Sequence, residues 1–291
     1  MADIKFDKVV CTGGSGRLGK YVVDALFRMC DLTVIDLKPP KQNIKHVDVD
    51  ITDFGAMKKI FSGQDAVVHL AAIPNNRTAP SDITFQVNVQ GTWAVLEAAE
   101  QAGVQQVIVT SSDAATGLLF NPKDWCPLYL PIDEDHPLRP TEFYSLSKHV
   151  TEIICESYAY RGNLKIIVIR PTYIVFPFEW SELEERGTDP QNYHIWSYVE
   201  PEDVAQAFVL GLSVSDIRFE KFFISAADTL AQRPTLELME QRLGFLPKIR
   251  RPKIYEANPT AAVLDITRAR EQLNFEPVSN WRRLVGQCQK G

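Results

Sequence analysis

Thr12-Gly13-Gly14-Ser15-Gly16-Arg17-Leu18-Gly19 decides how this chain is read. It follows Lys8-Val9-Val10-Cys11-Thr12, a short apolar run of the kind that forms a buried strand. It leads into Gly16 to Met29, where Leu18, Val22, Val23, Leu26 and Met29 recur at helical spacing. Glycines between a strand and a helix permit a tight turn, let the backbone approach a pyrophosphate, and allow the helix to pack closely on the strand. The helix N-terminus offers unpaired N–H groups and a positive dipole to phosphates. The next apolar run, Leu32 to Ile35, ends at Asp36, near the spacing at which a carboxylate holds the adenosine ribose hydroxyls. Gly13, Gly16, Arg17, Leu18, Gly19 and Asp36 are therefore expected to bind a dinucleotide. A carboxylate at Asp36 repels a 2′-phosphate by about 1–4 kcal/mol at the effective dielectric of a surface pocket. NAD is expected over NADP, with Arg17 and Lys38 as nearby cations that soften the preference.

The same alternation continues outward. Ala66 to Leu70, Gln106 to Val109 and Leu164 to Ile169 read as further strands, with helical stretches at Phe54 to Phe61, Ile83 to Gln101 and Phe143 to Tyr160. Strands separated by helices of this length form parallel βαβ units, because a parallel neighbour needs a long crossover. The predicted fold is α/β, a doubly wound parallel sheet (Rossmann) with a small C-terminal substrate lobe. After Pro171 the pattern changes. Tyr173 to Trp196 is rich in aromatics, acids and turn residues, followed by a helix at Pro201 to Leu212, a strand at Lys221 to Ser225, and helices near Thr235 to Leu243, Thr267 to Leu273 and Asn280 to Gln287. Residues 1–170 are expected to carry the cofactor and catalytic groups, and residues 171–291 a small lobe partly interleaved with the sheet.

Bulk properties narrow the function. The 291 residues are 45% hydrophobic and carry a net charge of −6, which argues against a nucleic-acid binder. The densest basic run, Lys248, Arg250, Arg251 and Lys253, reads as a solvated loop between Pro247 and Pro252. Five scattered cysteines without a Cys-x-x-Cys suit a reducing compartment and give no metal site. Met1 to Lys8 is polar and unlike a signal peptide, and no apolar run approaches the ~20 residues of a membrane span. The expectation is a cytoplasmic protein with no membrane partner.

Tyr144-Ser145-Leu146-Ser147-Lys148 sets a tyrosine and a lysine on one helix face. A free phenol, with a pKa near 10, is a poor base at neutral pH. A nearby ammonium and the positive nicotinamide of NAD would lower that value, letting the phenolate take a proton from a substrate hydroxyl while hydride leaves the same carbon. His69 reads as a structural strand-end residue.

In combination these motifs resemble the extended short-chain dehydrogenases/reductases, the NAD-dependent epimerase/dehydratase family, over essentially the whole chain. The resemblance adds Asp48-Val49-Asp50-Ile51-Thr52-Asp53, His69-Leu70-Ala71-Ala72, Asn88-Val89-x-Gly91-Thr92, Ser111-Ser112, Arg170-Pro171 and Tyr198-Val199-x-x-Glu202-Asp203 to the stretches above. It implies that Asp50 and Ile51 hold the adenine, that Leu70, Ala71 and Ala72 line the phosphates and ribose, and that Asn88 supports the pocket. It implies Ser112 as the hydroxyl that bonds the reacting oxygen, with Tyr144 and Lys148 also touching the cofactor, and a homodimer through the helices near 83–101 and 143–160.

The resemblance covers several chemistries. Dehydratases of this type carry an Asp-Glu pair after the catalytic Ser/Thr, whereas here Asp113 precedes Ala114. Nucleotide-sugar enzymes place an arginine before the Tyr198-type segment, whereas no Arg or Lys occurs between Arg186 and Arg218. The compact lobe resembles aldose and uronate dehydrogenases, so the expected activity is oxidation of a small carbohydrate. The alternatives are a UDP-sugar 4-epimerase and a non-catalytic NAD(P) sensor. Candidate substrate contacts are Asn75, Asp113, Thr172, Tyr173, His194 and Trp196, with Asn76 and Arg77 beside the first.

Overall fold

The structure, a computed structural model, describes residues 4–119 and 125–288. Met1, Ala2 and Asp3 of the opening segment, and the side chain of Cys288, lie outside the described residues. The strands are β1 Lys8–Thr12, β2 Asp31–Ile35, β3 Lys45–Val47, β4 Ala66–His69, β5 Gln106–Thr110, β6 Tyr129–Leu130, β7 Lys165–Pro171, β8 Phe219–Ile224 and β9 Lys248–Ile249. The helices are α1 Arg17–Leu26, α2 Phe54–Phe61, α3 Ser81–Phe85, α4 Gly91–Ala102, α5 Phe143–Arg161, α6 Leu183–Thr188, α7 Pro201–Ser213, α8 Thr235–Leu243, α9 Pro252–Ala257, α10 Thr267–Leu273 and α11 Trp281–Cys288.

Seven strands form one parallel sheet in the order β3-β2-β1-β4-β5-β7-β8. Both faces are covered, which is why β1 reads as an unbroken apolar run. Val9 and Cys11 point into one layer with Val22, Val23 and Leu26 of α1 and Val204 and Phe208 of α7. Val10 points into the other, with Met57 and Phe61 of α2, Val95 and Leu96 of α4, and Tyr158 of α5. The strand order reverses between β1 and β4, where Thr12 pairs with Ile35 on one side and His69 on the other. A doubly wound sheet opens a crevice at the carboxyl ends of such strands, and the glycine loop lies there.

Three local features depart from the sequence reading. β3 is a short edge strand, Lys45-His46-Val47, with no alternation to announce it. The single helix expected at Ile83 to Gln101 is α3 and α4 joined by a π turn at Gln86–Gln90. Within that turn the Asn88 carbonyl accepts from Thr92 Oγ1 at 2.6 Å and from Thr151 Oγ1 at 3.2 Å. Such turns recur at functional sites, and this one aims the Asn88 side chain toward the crevice. Beyond Pro171, β8 completes the sheet against β7, while α6, α9 and the two-stranded β6–β9 sheet are too short to show a period. No helix among the described residues is long and apolar enough to cross a membrane.

Candidate active site

The crevice is built from backbone. Gly13 has φ +74°, and a Cβ there would lie 2.5 Å from the Ala71 nitrogen; a Cβ on Gly19 would lie 2.2 Å from the Gly13 carbonyl oxygen. Gly16 caps α1 without a side-chain acceptor, leaving that helix end facing the crevice. The Asp36 carboxylate at the end of β2 accepts from the Ser15 N–H at 3.0 Å and the Lys38 N–H at 3.2 Å, fixing the loop to the second strand. A cavity of about 270 Å³ is lined by Gly13, Gly16, Asp36, Asp50, Ile51, Leu70, Ala71 and Ala72, joined by Leu37, Val49, Ile73 and Val87. A cradle that any Cβ would fill, next to a carboxylate and a free helix end, fits a dinucleotide. Asn88 stands behind this wall: its Oδ1 accepts from Ile73 N–H at 2.8 Å, and its Nδ2 donates to the Ile73 carbonyl at 3.1 Å and Ser147 Oγ at 3.0 Å.

Other members of the predicted cofactor set sit differently. Leu18 packs against the core beneath the loop, and the Arg17 guanidinium lies over the rings of Phe176 and Phe178, at 5.9 and 5.8 Å from their centroids. Asp36 and Asp50 are the charged side chains that line this cavity, and Asp36 is the one at the end of β2 beside the glycine loop. Asp36→Ala is expected to shift the NADP-to-NAD affinity ratio upward by about ten- to several-hundredfold, measured as the two dissociation constants.

Ser112, Tyr144 and Lys148 converge at the carboxyl end of the sheet. Ser112 caps a short 3₁₀ turn at Asp113–Thr116; its Oγ accepts from Ala114 N–H at 3.1 Å and donates to Asp113 Oδ1 at 3.1 Å. Tyr144 opens α5, where Glu142 caps the helix by accepting from its N–H at 2.9 Å. Lys148, one turn on, donates from Nζ to the Thr110 carbonyl at 3.0 Å. Burial pushes the Lys148 ammonium down to about 8, against an opposing pull from Glu152. Burial also pushes the Tyr144 phenol above its ordinary range, partly offset by the Ser112 hydroxyl, with Asp113 adding to the rise. Among the chain's own groups desolvation sets the direction, and the positive nicotinamide that was expected to act with Lys148 on this phenol belongs to the cofactor.

On the substrate side, Asp113 is 5% exposed and bridges Ser112 to Thr172, whose Oγ1 donates to Asp113 Oδ2 at 2.7 Å. Burial raises its pKa to about 6, outweighing these hydrogen bonds. A carboxyl raised on folding contributes stability that is complete below its unfolded pKa and lost as pH rises through the folded value. Asp113→Asn is therefore expected to stabilise the fold by about 1–3 kcal/mol at pH 8. The gain should disappear below pH 4, as thermal unfolding across pH would show.

The Tyr173 ring stacks on His194 at 4.3 Å, and Tyr193 covers the imidazole at 3.9 Å. Burial, then Arg186 and Arg77, hold His194 neutral down to about pH 3. Both His194 ring nitrogens are buried without a hydrogen-bond partner among the described residues. Ile195 and Trp196 that follow have φ of +48° and +57°, strained for side chains of this size. One expected contact, Trp196, is placed otherwise, and Asn75 is anchored within its own loop. Trp196 is fully buried, with its indole N–H donating to the Asp189 carbonyl at 3.1 Å, so it packs in the core. The Asn75 Oδ1 accepts from Arg77 N–H at 2.8 Å and Thr78 Oγ1 at 2.9 Å, and so holds its own loop. His69 is structural: its nitrogens meet Thr12 Oγ1 at 2.7 Å and Thr92 Oγ1 at 3.1 Å.

The sequence reading missed a buried ionic cluster behind Lys148. Arg170 reaches Glu152 through Nε at 2.7 Å and Nη2 at 2.6 Å, and Ser111 Oγ donates to the same carboxylate at 2.6 Å. The spacing Tyr144, Lys148, Glu152 on one helix face was the available signal. Arg250, Arg251 and Lys253, read as a solvated loop, line a cavity of about 570 Å³ in the C-terminal part of the chain. There Arg251 pairs with Asp265 at 2.7 Å and Arg250 lies 3.6 Å from Asp133. Among the described residues, no group of His, Cys, Asp or Glu is arranged to hold a metal ion.

Sheet order, crossover point and glycine cradle together define a dinucleotide-binding α/β protein. The chain belongs to the NAD dependent epimerase/dehydratase family, whose sequence profile matches residues 9–188, and it is accordingly an enzyme that uses NAD. It is similar to an L-arabinose 1-dehydrogenase (NAD(P)(+)) of Haloferax volcanii, 28% identical over 228 residues that cover 76% of this chain and 89% of that protein. A short-chain dehydrogenase/reductase superfamily protein of Agrobacterium tumefaciens with bound NAD superposes with a TM-score of 0.72 at 22% identity, covering 97% and 96% of the two chains. A UDP-glucose 4-epimerase of Thermotoga maritima superposes with a TM-score of 0.70 at 23% identity, covering 97% and 98%.

Proposed function

We propose that this enzyme oxidises a hydroxyl-bearing carbon of a small free carbohydrate of the aldose type. NAD, when bound, supplies the ring that accepts hydride and a positive charge beside the phenol. Tyr144 takes the hydroxyl proton at Oη, Ser112 holds the reacting oxygen, and Lys148 keeps a second positive charge next to the developing phenolate. The C–H bond breaks with its electron pair leaving as hydride, the O–H proton passes to Tyr144, and the carbon becomes a carbonyl. The high intrinsic pKa of Tyr144 means that this base acts only with positive charge beside it.

The observation that carries the substrate class is Asp113. A buried carboxylate joined to Ser112 and Thr172 accepts hydrogen bonds from sugar hydroxyls and repels a uronate carboxylate or a phosphate placed beside it. The arabinose dehydrogenase relative, aligned over 89% of its own length, supports the same reading. We infer further that residues 171–291 supply the substrate lobe. We also infer that Ile83, Trp93, Leu146 and Ile153, all exposed, meet a second copy of the chain. The described cysteines are all free thiols, which suits work in the cytoplasm.

A second reading, a nucleotide-sugar 4-epimerase, has specific support. The segment between Arg186 and Arg218 carries no cation for a phosphate clamp, but Arg77 arrives from the loop after β4. The charges of Arg77 and Arg186 both act on Tyr193 and His194. Several similar solved structures, at 16–23% identity, are UDP-sugar epimerases or hold a UDP-sugar. Incubation with NAD⁺ and UDP-glucose, followed by chromatography of the sugar, separates the two readings. An unchanged UDP-sugar supports the first; conversion to its epimer without net NADH replaces it with the second.

A further inference from the structure

Lys148 is 3% exposed, and its only hydrogen bond among the described residues is to the uncharged Thr110 carbonyl. A buried ammonium without a counter-charge loses its proton. Among the described residues no carboxylate lies within ion-pair distance of it, so the charge that steadies it acts across a gap. The charged and titratable groups around it can be named. From its own helix come Tyr144, Glu152 and Cys155, and from β4 comes His69. Burial holds His69 neutral down to about pH 3 and keeps the Cys155 thiol protonated far above neutrality. Asp113 lies beyond Tyr144, with burial raising it to about 6.

That leaves Glu152, one turn along the same face of α5 and 3% exposed. Its carboxylate is held on three sides: Arg170 Nε at 2.7 Å and Nη2 at 2.6 Å, and Ser111 Oγ at 2.6 Å. Arg170, itself fully buried, is steadied by its Nη1 donating to the Glu134 carbonyl at 3.3 Å. Arg170 opposes the field of Glu152. Behind it stand Glu134, with burial raising it to about 7, and Arg268. Ser111 is the residue before Ser112, so one carboxylate touches the segment carrying the catalytic serine and faces the catalytic lysine.

We propose that Glu152 is a positioning residue for Lys148: fixed by Arg170 and Ser111, its carboxylate supplies the negative field that keeps the buried ammonium charged beside Tyr144. The inference rests on the Tyr144–Lys148 reading of the site, and a readout independent of turnover tests it separately.

The experiment is an NMR titration of the lysine Cε signals in the full chain, with Lys148 assigned by its loss in Lys148→Arg. The wild-type ammonium should titrate near pH 8. In Glu152→Gln the midpoint should fall by about one to two pH units, and in Glu152→Asp, which keeps the charge, it should stay near the wild-type value. Where turnover is followed, the alkaline fall in kcat should move with the midpoint, whereas a purely structural role would lower kcat equally at every pH. A wild-type midpoint in Glu152→Gln overturns the proposal. Should the glutamine variant fail to fold around the unpaired Arg170, the aspartate variant decides. A wild-type midpoint there sustains the field of Glu152, and a fall of a full pH unit assigns the effect to packing and overturns it.

Discussion

Tyr144→Phe is expected to lower kcat by about 10²–10⁴-fold while leaving the dissociation constant for NAD within a few-fold of wild type. The substitution removes one oxygen and keeps the ring, so packing at this 7% exposed position is preserved. The large effect follows from the arrangement around the phenol. Ser112 Oγ is already committed to Ala114 N–H and Asp113 Oδ1, and the lysine ammonium, with a pKa near 8, is mostly protonated at neutral pH. In the proposed reaction, therefore, neither replaces Tyr144 as proton acceptor. Loss of turnover with retained NAD binding also separates an enzyme from a protein that only senses the cofactor. Isothermal titration with NAD⁺ alongside steady-state rates gives both quantities from one preparation.

The second large effect concerns stability. Arg170→Met should destabilise the fold by about 3–5 kcal/mol, because it strands the Glu152 carboxylate in a buried site. Arg170 is fully buried and donates two of the three hydrogen bonds that Glu152 accepts from side chains. For a chain of this size that corresponds to a fall in melting temperature on the order of 10 °C. The loss should exceed that from Arg161→Met, an exposed arginine paired with the partly buried Glu97 and Glu100, where a solvent-reached ion pair contributes about 1 kcal/mol or less. Paired thermal melts of the two variants check the contrast. Similar losses would mean that the buried cluster is not the structural centre of the Lys148 site.

Much of the cofactor half was legible in the sequence because its signals are local. A glycine loop between an apolar run and a helical period fixes a turn, and Asp36 follows at the end of the next strand; the structure has each where expected. Tyr144 and Lys148 were legible for the same reason, since four residues on a helix return to one face. What stayed hidden depends on distant segments. Arg77 was legible as a candidate contact after the fourth strand, but its approach to His194 from that loop was not, because it depends on how distant segments meet. Trp196 is named by its neighbours as a substrate contact, but the strained backbone at Ile195 and Trp196 turns it into the core. The π turn at Gln86–Gln90 leaves the helical spacing of Ile83 to Gln101 nearly intact. The Arg17 guanidinium lies over Phe176 and Phe178, residues of a stretch without a period, so that contact had no local signal.

The most direct test of the whole account is to mix wild-type protein with NAD⁺ and a panel of free aldoses, uronates and UDP-sugars, and to follow NADH against the Tyr144→Phe variant. The account predicts that NADH accumulates with a neutral aldose, that uronates are poorer substrates because of Asp113, and that the variant forms almost none. NADH formed as fast by the variant as by the wild type would contradict it.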